Sequence, residues 1–128
     1  MGTLKAADRA FLVLRPEGAQ PKFDVVAIAG ELAGRQTDAT ALRVLFDWSR
    51  VRSWPFAAPS AAAIQEWNNI SPTIARAAFV HDPKWNRHAA ILSALLRVSD
   101  AEARSFHRSD RDKAIAWLER TPEDVEVR

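Results

Sequence analysis

"ARAAFVHDPKWNRHAAILSALL", Ala75–Leu96, decides the fold. An apolar run ends at Val80, short enough and bounded sharply enough to be a buried strand. Asp82-Pro83 follows at once. Asp suits an N-cap and Pro the first helical position, where a missing N–H costs nothing. Trp85, Ala89, Leu92 and Leu96 then recur at helical spacing, and Ile91 and Leu95 widen the stripe to a broad buried face. The stretch therefore predicts a strand that hands over directly to an amphipathic helix.

The same alternation extends to both sides. "LRVLFDW", Leu42–Trp48, is a strand candidate, and "SAAAIQEWNN" after it is a helix with Ser60 as N-cap. Downstream, "AEARSFH", Ala101–His107, alternates weakly, as an edge strand does. Ser109-Asp110 opens a last helix carrying Ala114, Ile115, Trp117 and Leu118, and Thr121-Pro122 stops it. Strand–helix alternation of this kind argues a parallel sheet with right-handed crossovers. Upstream, "AFLVL" (Ala10–Leu14) and "FDVVAIAG" (Phe23–Gly30) flank Arg15-Pro16-Glu17-Gly18, and this pattern predicts an antiparallel hairpin. The segment Gly30 to Ala41 is near the minimum length for a parallel crossover, with room for a turn of helix. The expectation is thus one α/β domain over residues 1–128. Its sheet would be mixed and five-stranded, an N-terminal antiparallel hairpin followed by parallel strands. A frayed tail would occupy 122–128.

Composition narrows the function. The chain has 128 residues, 48% of them hydrophobic, enough for one ordinary core. A net charge of +2 without a run of like charges argues against a nucleic-acid partner. The absence of cysteine removes disulfides, thiolate nucleophiles and Cys-based zinc sites, and fits a cytoplasmic setting. The start lacks the pattern of a signal peptide, and no window has the uninterrupted apolar length of a membrane span, so membrane contact would be peripheral at most.

Val44-Leu45-Phe46-Asp47, Ala77-Ala78-Phe79-Val80-His81-Asp82 with Lys84-Trp85, and Ala114-Ile115-Ala116-Trp117-Leu118 together resemble the SpoIIAA-like (STAS/SEC14-type) family. The resemblance spans Leu42 to Leu118 and implies a small α/β domain in a non-enzymatic role. Within that family, anti-sigma-factor antagonists bind a partner protein and are switched by serine phosphorylation, whereas SEC14-type domains carry apolar or lipid ligands. Two departures stand out. The family's first long helix has no counterpart between Gly30 and Leu42, and "FDWSRVRSW" replaces the Asp-Ser-Ser-Gly-type loop, leaving Ser49 as the hydroxyl directly after the strand.

Ligands of open parallel sheets bind beyond the carboxyl ends of the strands. Three strands would run out into Asp47-Trp48-Ser49-Arg50, His81-Asp82-Pro83-Lys84-Trp85 and His107-Arg108-Ser109. The candidate ligand-binding residues are therefore Trp48, Arg50, Trp54, Phe56, His81, Lys84, Trp85 and His107. Each has a plainer alternative. Trp85 leads the helix stripe as a core residue would, His81 can be a hydrogen-bonded strand end, and Lys84 with His88 can be a solvated helix face. Asp82 can be only an N-cap, and Asp47 can serve loop amides.

No catalytic residue, metal ligand or cofactor is assigned. The four glycines form no phosphate loop, and Ser49, His81 and Asp47 lack a nucleophile elbow. Two functions remain. One is a non-enzymatic binding module for an apolar or amphipathic, lipid-like ligand with an anionic head, held at the carboxyl edge of the sheet. The other is a protein-interaction domain or homodimer without a small-molecule ligand.

Overall fold

In the computed structural model the chain is described over residues 11–35 and 42–120. Four parallel strands form the sheet in the order β1 (Phe11–Leu14), β3 (Leu42–Asp47), β5 (Ile74–His81) and β6 (Glu102–His107). Helices α1 (Val25–Arg35), α2 (Ala61–Ile70) and α3 (Asn86–Val98) link them, and α4 (Arg111–Glu119) follows β6. Two short strands, β2 (Gly18–Ala19) and β4 (Val51–Ser53), form a separate parallel pair.

The expected five-stranded mixed sheet is thus corrected, and the error is local. Phe23–Gly30 is not the second arm of a hairpin but the start of α1. The Asp24 carboxylate accepts the amides of Val26 (2.9 Å) and Ala27 (3.3 Å), which starts a helix. Val25, Ala29 and Leu32 then fall on one buried face. The β-branched pair at Val25-Val26 mimicked a strand, and burial against the sheet overrode that propensity. The long first helix that the connection after Gly30 had no room for is therefore present, only earlier in the chain. Part of that connection, residues 36–41, and the tail 122–128 lie outside the described residues.

Residues 18–23 do pair with something, but not antiparallel to β1. Gly18, with φ +73°, donates to the Arg50 carbonyl, Gln20 to Ser53 and Phe23 to Pro55. The segment after β1 thus runs beside the segment after β3, continuing their parallel pairing beyond the sheet.

The central strands β3 and β5 are buried on both faces, as parallel strands under crossover helices must be. Val44, Phe46, Ala77 and Phe79 face α1, α2 and α3, whose Leu32, Trp67, Ala89 and Leu92 complete that core. Leu45, Ala78 and Val80 face the other way onto Ala114 and Leu118 of α4. Helix α4 is tied at both ends. Arg111 reaches Asp47 at its start, while Arg43 donates to the Leu118 carbonyl and Arg76 to those of Trp117 and Arg120 at its end. Guanidinium groups there suit the negative end of a helix.

If α1 begins at Asp24, Asp24→Ala removes a cap and should cost about 1 kcal/mol. Asp24→Ser should recover most of it. The urea midpoint measures both.

Candidate functional site

Parallel register sets the rim of the molecule. Asp47 lies beside Val80, and His81 beside His107, so the ends of β3, β5 and β6 finish together. Trp48, His81 and His107 therefore share one edge. They do not share one depression.

Asp47 sits at the centre of that edge and is almost fully buried. Its Oδ1 accepts the Ser49 amide (3.1 Å) and the Ser49 hydroxyl (2.6 Å), and its Oδ2 accepts Arg111 Nε (2.8 Å). Arg15 Nε stands 3.5 Å away. Burial alone pushes the Asp47 carboxyl up. The hydrogen bonds from Ser49 and Arg111, with the Arg111 charge, outweigh burial and hold it below its ordinary value. Asp47 is thus a fixed anion that orders the exit of β3. Ser49 donates its hydroxyl hydrogen bond to Asp47, while His81 is engaged elsewhere, with Nδ1 2.7 Å from the Asp82 carbonyl and Nε2 3.3 Å from Ser105 Oγ. Ser49, His81 and Asp47 do not assemble as a nucleophile, base and orienting acid.

A second centre is His88. Far from lying on a solvated face, it is 4% exposed. Phe23, Trp54, Phe56 and Trp85 surround it with ring centroids 4.9, 5.4, 5.2 and 5.2 Å away. Its Nε2 donates to the Trp54 carbonyl at 2.9 Å. Its Nδ1 and the Trp85 indole N–H are buried without a hydrogen-bond partner among the described residues. Burial pushes the imidazole below its ordinary value, and the Arg87 and His81 charges add to this against the Trp54 carbonyl. Neutral His88 thereby anchors the loop after β4. Phe56 and Trp85, two of the sequence candidates, belong to this cage, although Arg87 also lies over the Phe56 ring at 4.9 Å.

An apolar concavity lies along β1, an outer strand of the described sheet. It is a cleft of about 400 Å³ between β1, α1 and the segment Arg15–Lys22. Phe46, Trp48 and Trp54 contribute to its apolar lining from the sheet side, and Ala27 and Ile28 from α1. Trp48 is buried and packs its ring edge-on against Trp54 at 5.0 Å. Arg15, Lys22 and Arg35 supply cations. Asp24 and Glu31 supply acids, the first spent on capping α1 and the second paired with Arg35 at 3.4 Å.

The remaining candidates lie apart. Arg50 and Lys84 line a shallower depression on the far side of the Arg15–Gln20 segment, and His81 and His107 line a small one beside β6. Asp82 gives no side-chain cap and instead pairs with Arg108 at 3.1 Å.

The residues that sequence reasoning missed are Phe23, Ile28, His88 and Arg111. Asp24 followed by apolar residues at 25, 29 and 32 was a legible helix start and would have supplied Ile28. His88 carried no such signal, because it flanks the α3 stripe and is buried only by the loop folded over it.

The described residues form a small α/β domain on a parallel sheet, with a cleft beside β1. The SpoIIAA-like family model matches residues 3–119, and the chain belongs to that family. It is in class a STAS-type regulatory or binding module. No curated protein and no solved structure matches it. Among the described residues no group of His, Asp and Glu could hold a metal ion, and no helix is long and apolar enough to cross a membrane.

Both perturbed groups set an acid limit. His88 is held neutral, so its contribution is full above the ordinary imidazole value and is lost as pH falls through its lowered one. Asp47 is held ionised, so its contribution is full above the ordinary carboxylate value and is lost lower still. Unfolding free energy should therefore start to fall below about pH 6.5 and fall again in the carboxylate range. In His88→Phe the first fall should vanish and the second remain, as followed by urea denaturation across pH.

Proposed function

We propose that this chain is a non-enzymatic binding module whose ligand is an apolar or amphipathic molecule held in the cleft between β1 and α1. The observation that carries the proposal is the lining of that cleft. Aromatic and aliphatic side chains line a concavity of about 400 Å³, within the size range of small-molecule sites. Arg15, Gln20, Lys22, Asp24, Glu31 and Arg35 complete the lining. Lys22 makes no ion pair among the described residues and is free to meet an anionic head. Trp54, placed by the His88 cage, makes one wall, so the loop after β4 shapes the pocket.

The engagement of Ser49 with Asp47 and of His81 with Asp82 and Ser105 supports a role without catalysis. A cytoplasmic setting belongs to the same proposal. A second function, docking of a protein partner or a second copy, is favoured by β6. It is an outer strand of the described sheet, and Glu102, Arg104, Ser105 and His107 along it are exposed.

Native mass spectrometry of the purified protein tests both. A bound medium-chain acid or lipid should appear in the wild type. It should disappear in Ala27→Trp, which adds bulk from an exposed helix position into the cleft while leaving the thermal midpoint within a few degrees. A bare monomer that dimerises with concentration and never quenches its tryptophan fluorescence on adding a fatty acid would favour the interaction domain.

A further inference from the structure

We infer that the depression beside β4 is an anion site for a phosphate monoester, separate from the apolar cleft. Three strand exits each send cations to it. Arg50 and Arg52 come from the β3–β4 segment, Lys84 from the turn after β5 and Arg108 from the turn after β6. Two carboxylates share the depression and each holds one cation, Glu17 with Arg50 at 3.3 Å and Asp82 with Arg108 at 3.1 Å. Arg52 and Lys84 have no carboxylate partner among the described residues.

Four cations and two carboxylates leave a surplus of two positive charges in one concavity, equal to the formal charge of the entire chain. Such a concentration raises the local potential for anions. All four cationic side chains are exposed, and Lys84 also lies over the Trp85 ring at 5.2 Å. Asp82 is informative here. At a helix start its carboxylate would ordinarily accept turn amides, yet it turns to Arg108 and steadies that guanidinium over the depression.

The chemistry of the donors selects the ligand. Arginine forks take two oxygens of one phosphate, and lysine adds a compact charge. A phosphate monoester carries about −1.5 to −2 at neutral pH, which matches the two uncompensated cations. The depression, about 540 Å³ and wide open, has room for the group that bears the phosphate. Pro16 and Gln20 line the apolar cleft whereas Glu17 and Gly18 line this depression, so one short segment divides the two. Anion binding here does not depend on what fills the cleft. The phosphate can belong to a soluble ester or to a lipid headgroup.

Isothermal titration with glycerol 3-phosphate at low ionic strength is the direct test. A parallel sedimentation assay uses phosphatidylcholine vesicles with and without phosphatidic acid. Saturable one-to-one binding to the soluble ester, or selective binding to the phosphatidic acid vesicles, is the expected result, and the arm that responds identifies the source. Replacing both Arg52 and Lys84 with Ala should weaken binding by about tenfold or more. Asp82→Asn, which frees Arg108, should tighten it. The charge-matched control Arg97→Ala with Arg104→Ala should leave it unchanged. Absence of binding in both arms overturns the proposal. So does an equal loss in the control, since binding would then follow net charge and not this site.

Discussion

Burial of β3 and β5 on both faces is the constraint from which the rest of the structure follows. A strand covered on one side only could tolerate alternating polar residues, but Val44-Leu45-Phe46 and Ala77-Ala78-Phe79-Val80 offer none. Each face must be roofed by helix. The crossovers α1, α2 and α3 roof one face, and α4 returns to roof the other. Parallel order then brings the strand exits to a single edge, and there the first polar group is the Asp47 carboxylate. Its burial is tolerable only because Ser49 and Arg111 satisfy it, and Arg111 lies on α4. The helix that closes the second face thereby also fixes the exit of the central strand.

The two segments that leave β1 and β3 stay paired after the sheet has ended, through Gly18, Gln20 and Phe23 on one side and Arg50, Ser53 and Pro55 on the other. That ribbon delivers Phe23, Trp54 and Phe56 to His88 on α3. Aromatic pairs in edge-on geometry contribute about 0.5–1.5 kcal/mol each beyond their area, so several rings around one imidazole form a strong local tie. Its consequence reaches the cleft. The same loop that His88 holds supplies Trp54 to the cleft, and the opposite flank of the ribbon faces the basic depression. Apolar and cationic concavities are thus neighbours built from one piece of backbone.

Membership of the SpoIIAA-like family agrees with this arrangement at the level of class. The aromatic cage, the α1 wall of the cleft and the cations beyond β3, β5 and β6 stand outside the strands of the four-stranded sheet. Among open α/β sheets a reversal of strand order usually opens the ligand crevice. Here the described order runs β1, β3, β5, β6 without reversal, and the cleft opens instead at the side, where the edge strand β1 meets α1.

Local pattern alone determined most of the elements. The apolar runs of β1, β3 and β5, the Ser60 cap of α2, the Asp-Pro turn before α3 and the stripe of α3 are all short-range signals and were legible, as was the common direction of β3, β5 and β6. Val25-Val26 misled because β-branched residues resemble a strand, and they outweighed the helix-start signal of Asp24, whose carboxylate accepts the Val26 and Ala27 amides. Trp48, His81 and His107 finish at one edge, yet the division of the candidate residues into a cleft, a cage and a basic depression depends on how the ribbon 18–23 and 50–55 crosses that edge. That crossing rests on backbone hydrogen bonds between segments some thirty residues apart. His88 changes from a surface residue into the centre of an aromatic box by the same contacts. Periodicity along the chain reports which face of an element is apolar. It carries no information about which distant loop will lie across that face, and this only the tertiary structure decided.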